Sequence, residues 1–590
     1  MPDKSNNPFQ FWEELKRRRV IQVITVYAAA AFVILEVVSI IVEPLKLPEW
    51  TLPFVIVLLS IGFIISVIIS WVYDVTPEGI QKTKPAKDLN ETEKPTTSKI
   101  WKVISFVSIL IIIGSIVFYI IANNKKHSDI SKLEKSIAIL PFTNLSEEKG
   151  NEHFADGLVE DLLNRISVIE ELKVISRTSS EMYRERGVKG VPEIASELGV
   201  SYIVEGSVQR YGDKARITVQ LIDAINDDNI WAENYDRDIV DIFKTQSEIA
   251  MQISSVLNTI LTSKQKTHIQ DNKTKNVKAF ELYQMGRFYW NKRTGDGYTT
   301  SIEYFNKAID EDPGYGLAYA GLADTYNLMA LQGWIDKQEG RDKAVDLALK
   351  SLVLDENLTE AYTVLGSIYD YVDWDWENAE KAFKRALELN PNYATAHHYY
   401  SQHLHITGQH EEAHKHIDKA LELNPLSFVI RYVRGVEFYY NDGRFIEALA
   451  EIQKCNELYE NHPWLPRSEF KVYWQLGEEQ KAYEALRKIF ERDSIYNLEN
   501  AENIYKVSGL KAVLDWKIEI DLKDAKSDYR PYSIADTYGL IGEDEKAMEW
   551  LEKAIVSQKI SPELNFNIHF KNLHNNPGYI AILKKMGLEE

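Results

Sequence analysis

Hydrophobic and polar positions follow three rhythms along this chain, and each rhythm predicts a different kind of element. The first 122 residues hold three apolar runs, Val20 to Val42, Leu52 to Tyr73 and Val103 to Ala122. Each has about the 20 residues that a helix needs to cross roughly 30 Å of hydrocarbon. From Lys135 the runs shorten and alternate with helical stretches. Ser136 to Phe142 reads as a strand, and Glu152 to Ile169 as a helix through Phe154, Leu158, Leu162 and Ile166. Leu172 to Ser176 is a second strand and Pro192 to Leu198 a short helix stopped by Gly199. Tyr202 to Arg210 and Ala215 to Ile222 form a hairpin around Tyr211-Gly212-Asp213-Lys214. A strand near Ile230 to Tyr235 precedes a helix from Ile239 to Leu261, which makes an α/β domain. From about Lys278 onward the period is helical throughout.

That last region also repeats itself. Ala379, Phe383, Ala386 and Pro391 recur as Ala413, Ile417, Ala420 and Pro425, so that one proline follows the other by 34 residues. Small residues where two helices cross, with a proline closing the second, are the signature of tetratricopeptide (TPR) helix pairs. Further units are marked by Gly286, Phe305, Ala308 and Pro313, by Leu322, Tyr326, Ala344 and Ala348, and by Gly435, Phe438 and Ala448. Weaker ones carry Leu476, Gly477, Ala482 and Leu486, then Gly542, Ala547, Leu551 and Ala554, and Asn576-Pro577-Gly578-Tyr579 begins a closing cap. One such hairpin cannot bury its own apolar stripe, so neighbours stack and leave a concave surface. On that surface the repeat count places Thr363, Ser367, Asp370, His398, Gln402, His405, Tyr432 and Tyr439, candidates for a groove that binds other proteins or peptides.

The expected fold class is therefore multi-domain: a three-helix transmembrane anchor, an α/β domain and an all-α TPR superhelix. The boundaries are a cytoplasmic segment 1–19, three transmembrane helices over 20–122 with a cytoplasmic linker at 74–102, the α/β domain 135–262, the array 278–570 and a cap 571–590. Lys16-Arg17-Arg18-Arg19 ahead of the first span and six lysines in the 74–102 loop place both segments inside, and the bulk of the chain outside. The expectation is a multi-pass bacterial inner-membrane protein, contacting lipid, with a periplasmic carboxy-terminal region. Glu36, inside the first span, is read as a protonated or hydrogen-bonded carboxyl at the depth of Ser60.

Two stretches resemble known families. FWEELKRR, LPEW and TPEG, beginning at Phe11, Leu47 and Thr76, are similar to an amino-terminal membrane module of bacterial TPR proteins. KSIAILPFTNLSEEKGNEHFADGLVEDLLNRIS, LKVISRTSS and IASELGVSYIVEGSVQRYGDKARITVQLIDA resemble the FlgO-type domain, itself similar to the amino-terminal domain of TolB. That resemblance implies a non-enzymatic, protein-binding module outside the cytoplasmic membrane.

Charge and motifs narrow the function. A net charge of -20 argues against nucleic acid as a partner, since phosphate affinity rests on Lys and Arg. The single cysteine, Cys455, stands at a small-residue position of the repeat and can form no internal disulfide. Glu205-Gly206-Ser207 lacks the spacing of a phosphate loop or nucleophile elbow. His410-Glu411-Glu412-Ala413-His414 matches a zinc-hydrolase pattern, yet Ala413 is the alanine that the repeat requires. The neighbouring His397, His398, His403, His405 and His416 raise the separate idea of a unit that responds to pH. No catalytic, metal or cofactor residue is assigned. The reading is a non-enzymatic scaffold, with a sensory component acting through a partner as the alternative and a zinc hydrolase as a remote third.

Overall fold

A computed structural model describes scattered positions between 20 and 35 and then residues 51–76, 79–82, 135–146, 152–185, 189–523 and 530–588. The chain divides into two compact units, Met1–Lys126 and His127–Glu590.

In the first unit the second apolar run forms helix α1 (Thr51–Val72), followed by a two-stranded hairpin of β1 (Tyr73–Thr76) and β2 (Gly79–Lys82). The Tyr27 hydroxyl donates to the Leu59 carbonyl at 2.8 Å, and its ring meets Phe63 edge-on at 5.7 Å. Ser60 donates to Ile56 O at 2.8 Å, within its own helix. The three-helix transmembrane anchor requires correction: among the described residues no helix is long and apolar enough to cross a membrane. The multi-pass inner-membrane placement, with its cytoplasmic and periplasmic sides, is corrected with it. Most of the first run, including Glu36, together with the third run, segment 1–19 and most of the 74–102 linker, lies outside the described residues.

The second unit opens with a mixed sheet. Its strands are β3 (Ser136–Ile139), β4 (Thr143–Asn144), β5 (Lys173–Val174), β6 (Tyr202–Tyr211), β7 (Lys214–Asp223) and β8 (Asp228–Asp238), in the order β5-β3-β6-β7-β8, with β4 also on β6. β3 runs parallel to both β5 and β6, while β6, β7 and β8 are joined antiparallel. Because successive side chains of a strand point to opposite faces, β3 serves two cores. Ile137 and Ile139 face helices α2 (Glu152–Ile166) and α5 (Ile242–Val256). Ala138 and Leu140 face α3 (Arg177–Glu181) and α4 (Val191–Leu198). Gly206 is part of this packing: a Cβ there would lie 2.6 Å from Thr218 O and 2.7 Å from the Phe142 ring. A buried arginine ties the ends together. Arg165 pairs with Asp161 and donates to Ser247 Oγ (3.0 Å), Asp271 O (3.1 Å) and Asn272 Oδ1 (3.1 Å).

After α6 (Ser263–Gln270) the chain is helical hairpins. They pair α7 (Val277–Asn291) with α8 (Gly295–Glu311), α9 (Gly316–Leu331) with α10 (Lys337–Leu354), and α11 (Thr359–Ile368) with α12 (Trp376–Leu389). Next come α13 (Ala394–Ile406) with α14 (His410–Leu423), α15 (Phe428–Val433) with α16 (Phe445–Leu458), and α17 (Leu465–Gln475) with α18 (Glu479–Arg492). α19 (Leu498–Lys523) is kinked at Gly509, and α20 (Pro531–Leu540) pairs with α21 (Asp544–Val556). The chain closes through two 3-10 turns, Pro562–Phe566 and Ile568–Leu573, and α22 (Pro577–Lys585). Ala308, Ala344, Ala379, Ala386, Ala413, Ala420, Ala448 and Ala482 are fully buried where the paired helices cross. α11 and α15 each run on into a π-helical turn, Tyr369–Asp373 and Arg434–Tyr439, which shifts the helix face by part of a turn.

Two seams complete the second unit. The sheet domain docks on the turns of the array: Asn392 Nδ2 donates to Ser167 O (2.8 Å), Ile169 O (3.2 Å) and Leu172 O (2.9 Å), and Asn390 Nδ2 to Ser167 Oγ (2.8 Å). One repeat later Ser179 Oγ donates to Asn424 Oδ1 at 2.6 Å, and Ser176 N to Leu423 O at 2.8 Å. At the other seam the end of the chain folds back onto the middle repeats. Asn565 donates to Ile406 O (2.8 Å), Ile568 N to Asn441 Oδ1 (3.1 Å), and Trp376 Nε1 to Met586 O (2.8 Å).

Candidate functional site

The inner helices of the array surround a cavity of about 800 Å³, to which Glu563 of the returning segment contributes. Four of the sequence-predicted groove residues line it: Ser367, His398, Gln402 and Tyr432. Gln402 Nε2 donates to Glu437 Oε2 at 2.8 Å, Ser367 Oγ accepts from Asn327 at 3.2 Å, and the Tyr432 hydroxyl bonds Ser468 at 2.9 Å. His398 is 6% exposed, and its Nε2 has no hydrogen-bond partner among the described residues.

The other four lie elsewhere. Thr363 is buried and donates to Thr359 O one turn back, at 2.9 Å. Asp370 is fully buried against His403 Nδ1 at 2.7 Å. His405 is 1% exposed because the returning segment covers it, the Phe566 ring centroid standing 4.1 Å from its own. Tyr439 is held between the guanidinium groups of Arg434 and Arg444, 5.6 Å and 4.2 Å from its ring.

Charged groups that the repeat count did not single out make up much of the cavity wall. Arg467 and Lys471, one turn apart on α17, share it with Arg492 on α18, Lys517 and Asp521 on α19, and Arg530 and Asp536 around α20. Spacing of four on one helix was the available signal, obscured by the acidic composition of the whole chain. Lys471 pairs with Asp536 at 2.7 Å, and His569 Nδ1–H donates to the other oxygen of that carboxylate at 2.6 Å. Burial works against the Asp536 charge, but Lys471 and His569 outweigh it and hold the carboxyl well below its ordinary range. Burial raises Glu437 well above the usual carboxylate range, helped by the nearby Glu563, which burial also raises. Burial lowers the Lys517 ammonium, and Arg467 and Arg530 add to this against the opposing pull of Asp521. Burial pushes His398 down to about 3, with Arg293 adding to the effect.

The histidine motif does not form a metal centre. His414 Nε2 is taken by Asp442 at 2.8 Å, and Ala413 is buried at the helix crossing. His405 packs ring to ring with His410 at 4.6 Å. Among the described residues no group of three His, Cys, Asp or Glu is placed to hold a metal ion.

Comparison with known proteins separates the two regions of the second unit. Residues 532–556 match the tetratricopeptide repeat family. The helical region is an array of tetratricopeptide repeats. The helix pairing and the buried crossing alanines support this directly. A thermophilic TPR protein of Thermus thermophilus aligns with 34% of this chain and 98% of its own at 22% identity, with a TM-score of 0.28, too low to carry an argument. Residues 133–253, the sheet domain, match the family described as HilA/YgeH-like transcriptional regulator, second domain. The FlgO/TolB-like expectation finds no support in these comparisons. The protein named "Putative adenylate cyclase 3" of Rhizobium meliloti (strain 1021) is 30% identical over 255 residues, 43% of this chain and 40% of that protein. The transcriptional regulator HilA of Salmonella typhimurium is 24% identical over 260 residues, 44% of this chain and 46% of that protein. The match therefore spans less than half the length of either relative.

Proposed function

We propose that this chain is a non-enzymatic scaffold whose TPR array binds other proteins or peptides, with no nucleic acid among its partners. The observation that carries the reading is the inner face of the array, where Ser367, His398, Gln402 and Tyr432 from three successive repeats open onto one cavity. The tyrosine ring suits protein recognition, offering contact area with few rotatable bonds, and Gln402 adds hydrogen-bonding groups beside it. A photo-crosslinking residue in place of Tyr432 tests it in cells of the source organism. Defined adducts are expected there and not from the same residue in place of Lys350, which is exposed on α10. Equal adducts from both positions, or none from either, would refute the reading.

A second reading, a signalling component acting through a partner, is favoured by the match of 133–253 to a regulator's second domain and by the names of the two relatives. The identity of the crosslinked partner decides between the two. A cyclase or DNA-binding regulator supports signalling, and a partner without such activity supports the plain scaffold.

A further inference from the structure

The cavity inside the array is divided by charge. Of the five cations on the α17–α20 side, Lys471 is matched by Asp536 and Lys517 by Asp521. Arg467, Arg492 and Arg530 form no ion pair among the described residues. Arg467 donates to Ser533 Oγ at 3.1 Å and Arg492 to Asn461 O at 3.0 Å. The lining holds five cations and five carboxyl groups, and on the α17–α20 side the three guanidinium groups without an ion pair stand against one carboxyl unpaired among the described residues, Asp493, a local excess of positive charge in a chain of net charge -20. Like charges gathered around a partly enclosed space repel one another, and an anion entering it relieves that repulsion. The facing wall is different. It offers the Tyr432 ring together with Gln402, His398 and the carboxyls of Glu437 and Glu563, both raised by burial, while the half-exposed Trp464 at the start of α17 reaches across to Tyr432, their centroids 5.3 Å apart. His398 leaves Nε2 unpartnered although the residue is more than nine-tenths buried.

Size and closure bear on what fits. The turns Pro562–Phe566 and Ile568–Leu573 occupy the inner face at Ile406, Asn441 and Tyr440 and shorten the stretch of it that stays open. What remains, about 800 Å³, is the size of a small-molecule site. We infer that this cavity binds a compact organic anion built on a planar ring, its acid group on Arg467, Arg492 and Arg530 and its ring against Trp464 and Tyr432. His398 and Gln402 stand where they can meet polar atoms at the edge of the ring. The site shares Tyr432, His398 and Gln402 with the inner face proposed above for protein binding, so a bound anion and a protein partner would compete there.

Isothermal titration of the full chain tests this with AMP and indole-3-acetate as ring-bearing anions, and with adenosine and inorganic phosphate as their separate halves. At least one ring-bearing anion is expected to bind, with each half at least about tenfold weaker. A preference for AMP assigns an organic phosphate, and a preference for indole-3-acetate a carboxylate. R467Q/R530Q, two exposed positions, is expected to weaken that binding at least about tenfold while its melting curve stays in place, and W464A to weaken it through the ring. K350Q should change nothing. Heat from adenosine alone equal to that from AMP, or affinity unchanged in R467Q/R530Q, would overturn the proposal. So would binding of a polyglutamate peptide with neither ring-bearing anion, which would make this a peptide site, or no heat from any probe.

Discussion

Asn392 gives the sharpest test of how the sheet domain and the array are joined. Its side chain is buried, 8% exposed, and its amide reaches three carbonyls, those of Ser167, Ile169 and Leu172, at 2.8 to 3.2 Å. These carbonyls belong to the turn between α2 and β5, where no regular ladder supplies all the backbone partners. In Asn392→Ala two N–H donors vanish: the Ser167 and Leu172 carbonyls lose this partner, while the Ile169 carbonyl keeps the Leu172 N–H at 3.1 Å. A lost hydrogen bond costs about 1 kcal/mol net, and a buried polar group left unsatisfied about 1–3 kcal/mol. Water entering the vacated space recovers part of this, which brings the expected loss to about 2–4 kcal/mol. Asn392→Asp should be at least as damaging, because a carboxylate would face three carbonyl oxygens with no proton to give. Urea unfolding followed by circular dichroism reads the stability, and limited proteolysis at the 258–276 connection reads the loosened seam. A loss under about 0.5 kcal/mol in Asn392→Ala, with proteolysis unchanged, would refute the claim that this side chain holds the seam.

Three further outcomes follow from particular residues. Gly366→Ala should destabilise by about 1–3 kcal/mol, since its Cβ would stand 2.6 Å from the fully buried Phe383 ring, whereas Gly408→Ala, at φ +82° with open space around it, should lose only about 1 kcal/mol of backbone strain; thermal melts of both variants check the difference. Cys455 is fully buried and burial pushes its thiol up to about 12, so a thiol reagent should leave the native protein unlabelled and take up one equivalent after denaturation; rapid native labelling would contradict the packing. His398 is pushed down to about 3 in the folded state against about 6.5 unfolded, so its neutral form stabilises the fold fully above pH 6.5 and this is lost as pH falls; between pH 7.5 and 5.5 the loss is about 1.4 kcal/mol, and H398Q should show a pH dependence shallower by that amount in urea unfolding.

The repeat was legible because its signal is local. Wherever two helices cross closely the side chain must be small, and Ala379, Ala386, Ala413 and Ala420 all came out fully buried. The strand pattern of Ser136 to Phe142 was legible for a similar reason, a short apolar run ended by a proline. The inner-face residues were harder. Repeat counting assumes an unbroken α-helix, but the π turns at Tyr369–Asp373 and Arg434–Tyr439 rotate the helices that carry Asp370 and Tyr439. Asp370 is consequently packed against His403, and Tyr439 lies between arginines. The apolar runs were read from hydrophobic length alone, and among the described residues no helix is long and apolar enough to cross a membrane.

What the pattern could not reveal are the two seams, and they share one physical cause. A proline after a repeat's second helix ends it and leaves its last carbonyls to find partners outside. Asn390 and Asn424 stand directly before those prolines, where they read as ordinary helix stops. Both also bond outward, Asn390 to Ser167 and Asn424 to Ser179, in a domain more than 200 positions earlier in the chain. The closing segment obeys the same logic: Asn565 takes the Ile406 carbonyl at the end of α13, and Trp376, at the start of α12, takes the Met586 carbonyl at the end of α22. In both of these contacts a helix end supplies the acceptor and a side chain of another element the donor. Helix ends thus fix the register in which distant parts of this chain meet, on apolar contacts such as Ile406 and Trp376 against the closing segment and Leu426 against the sheet domain.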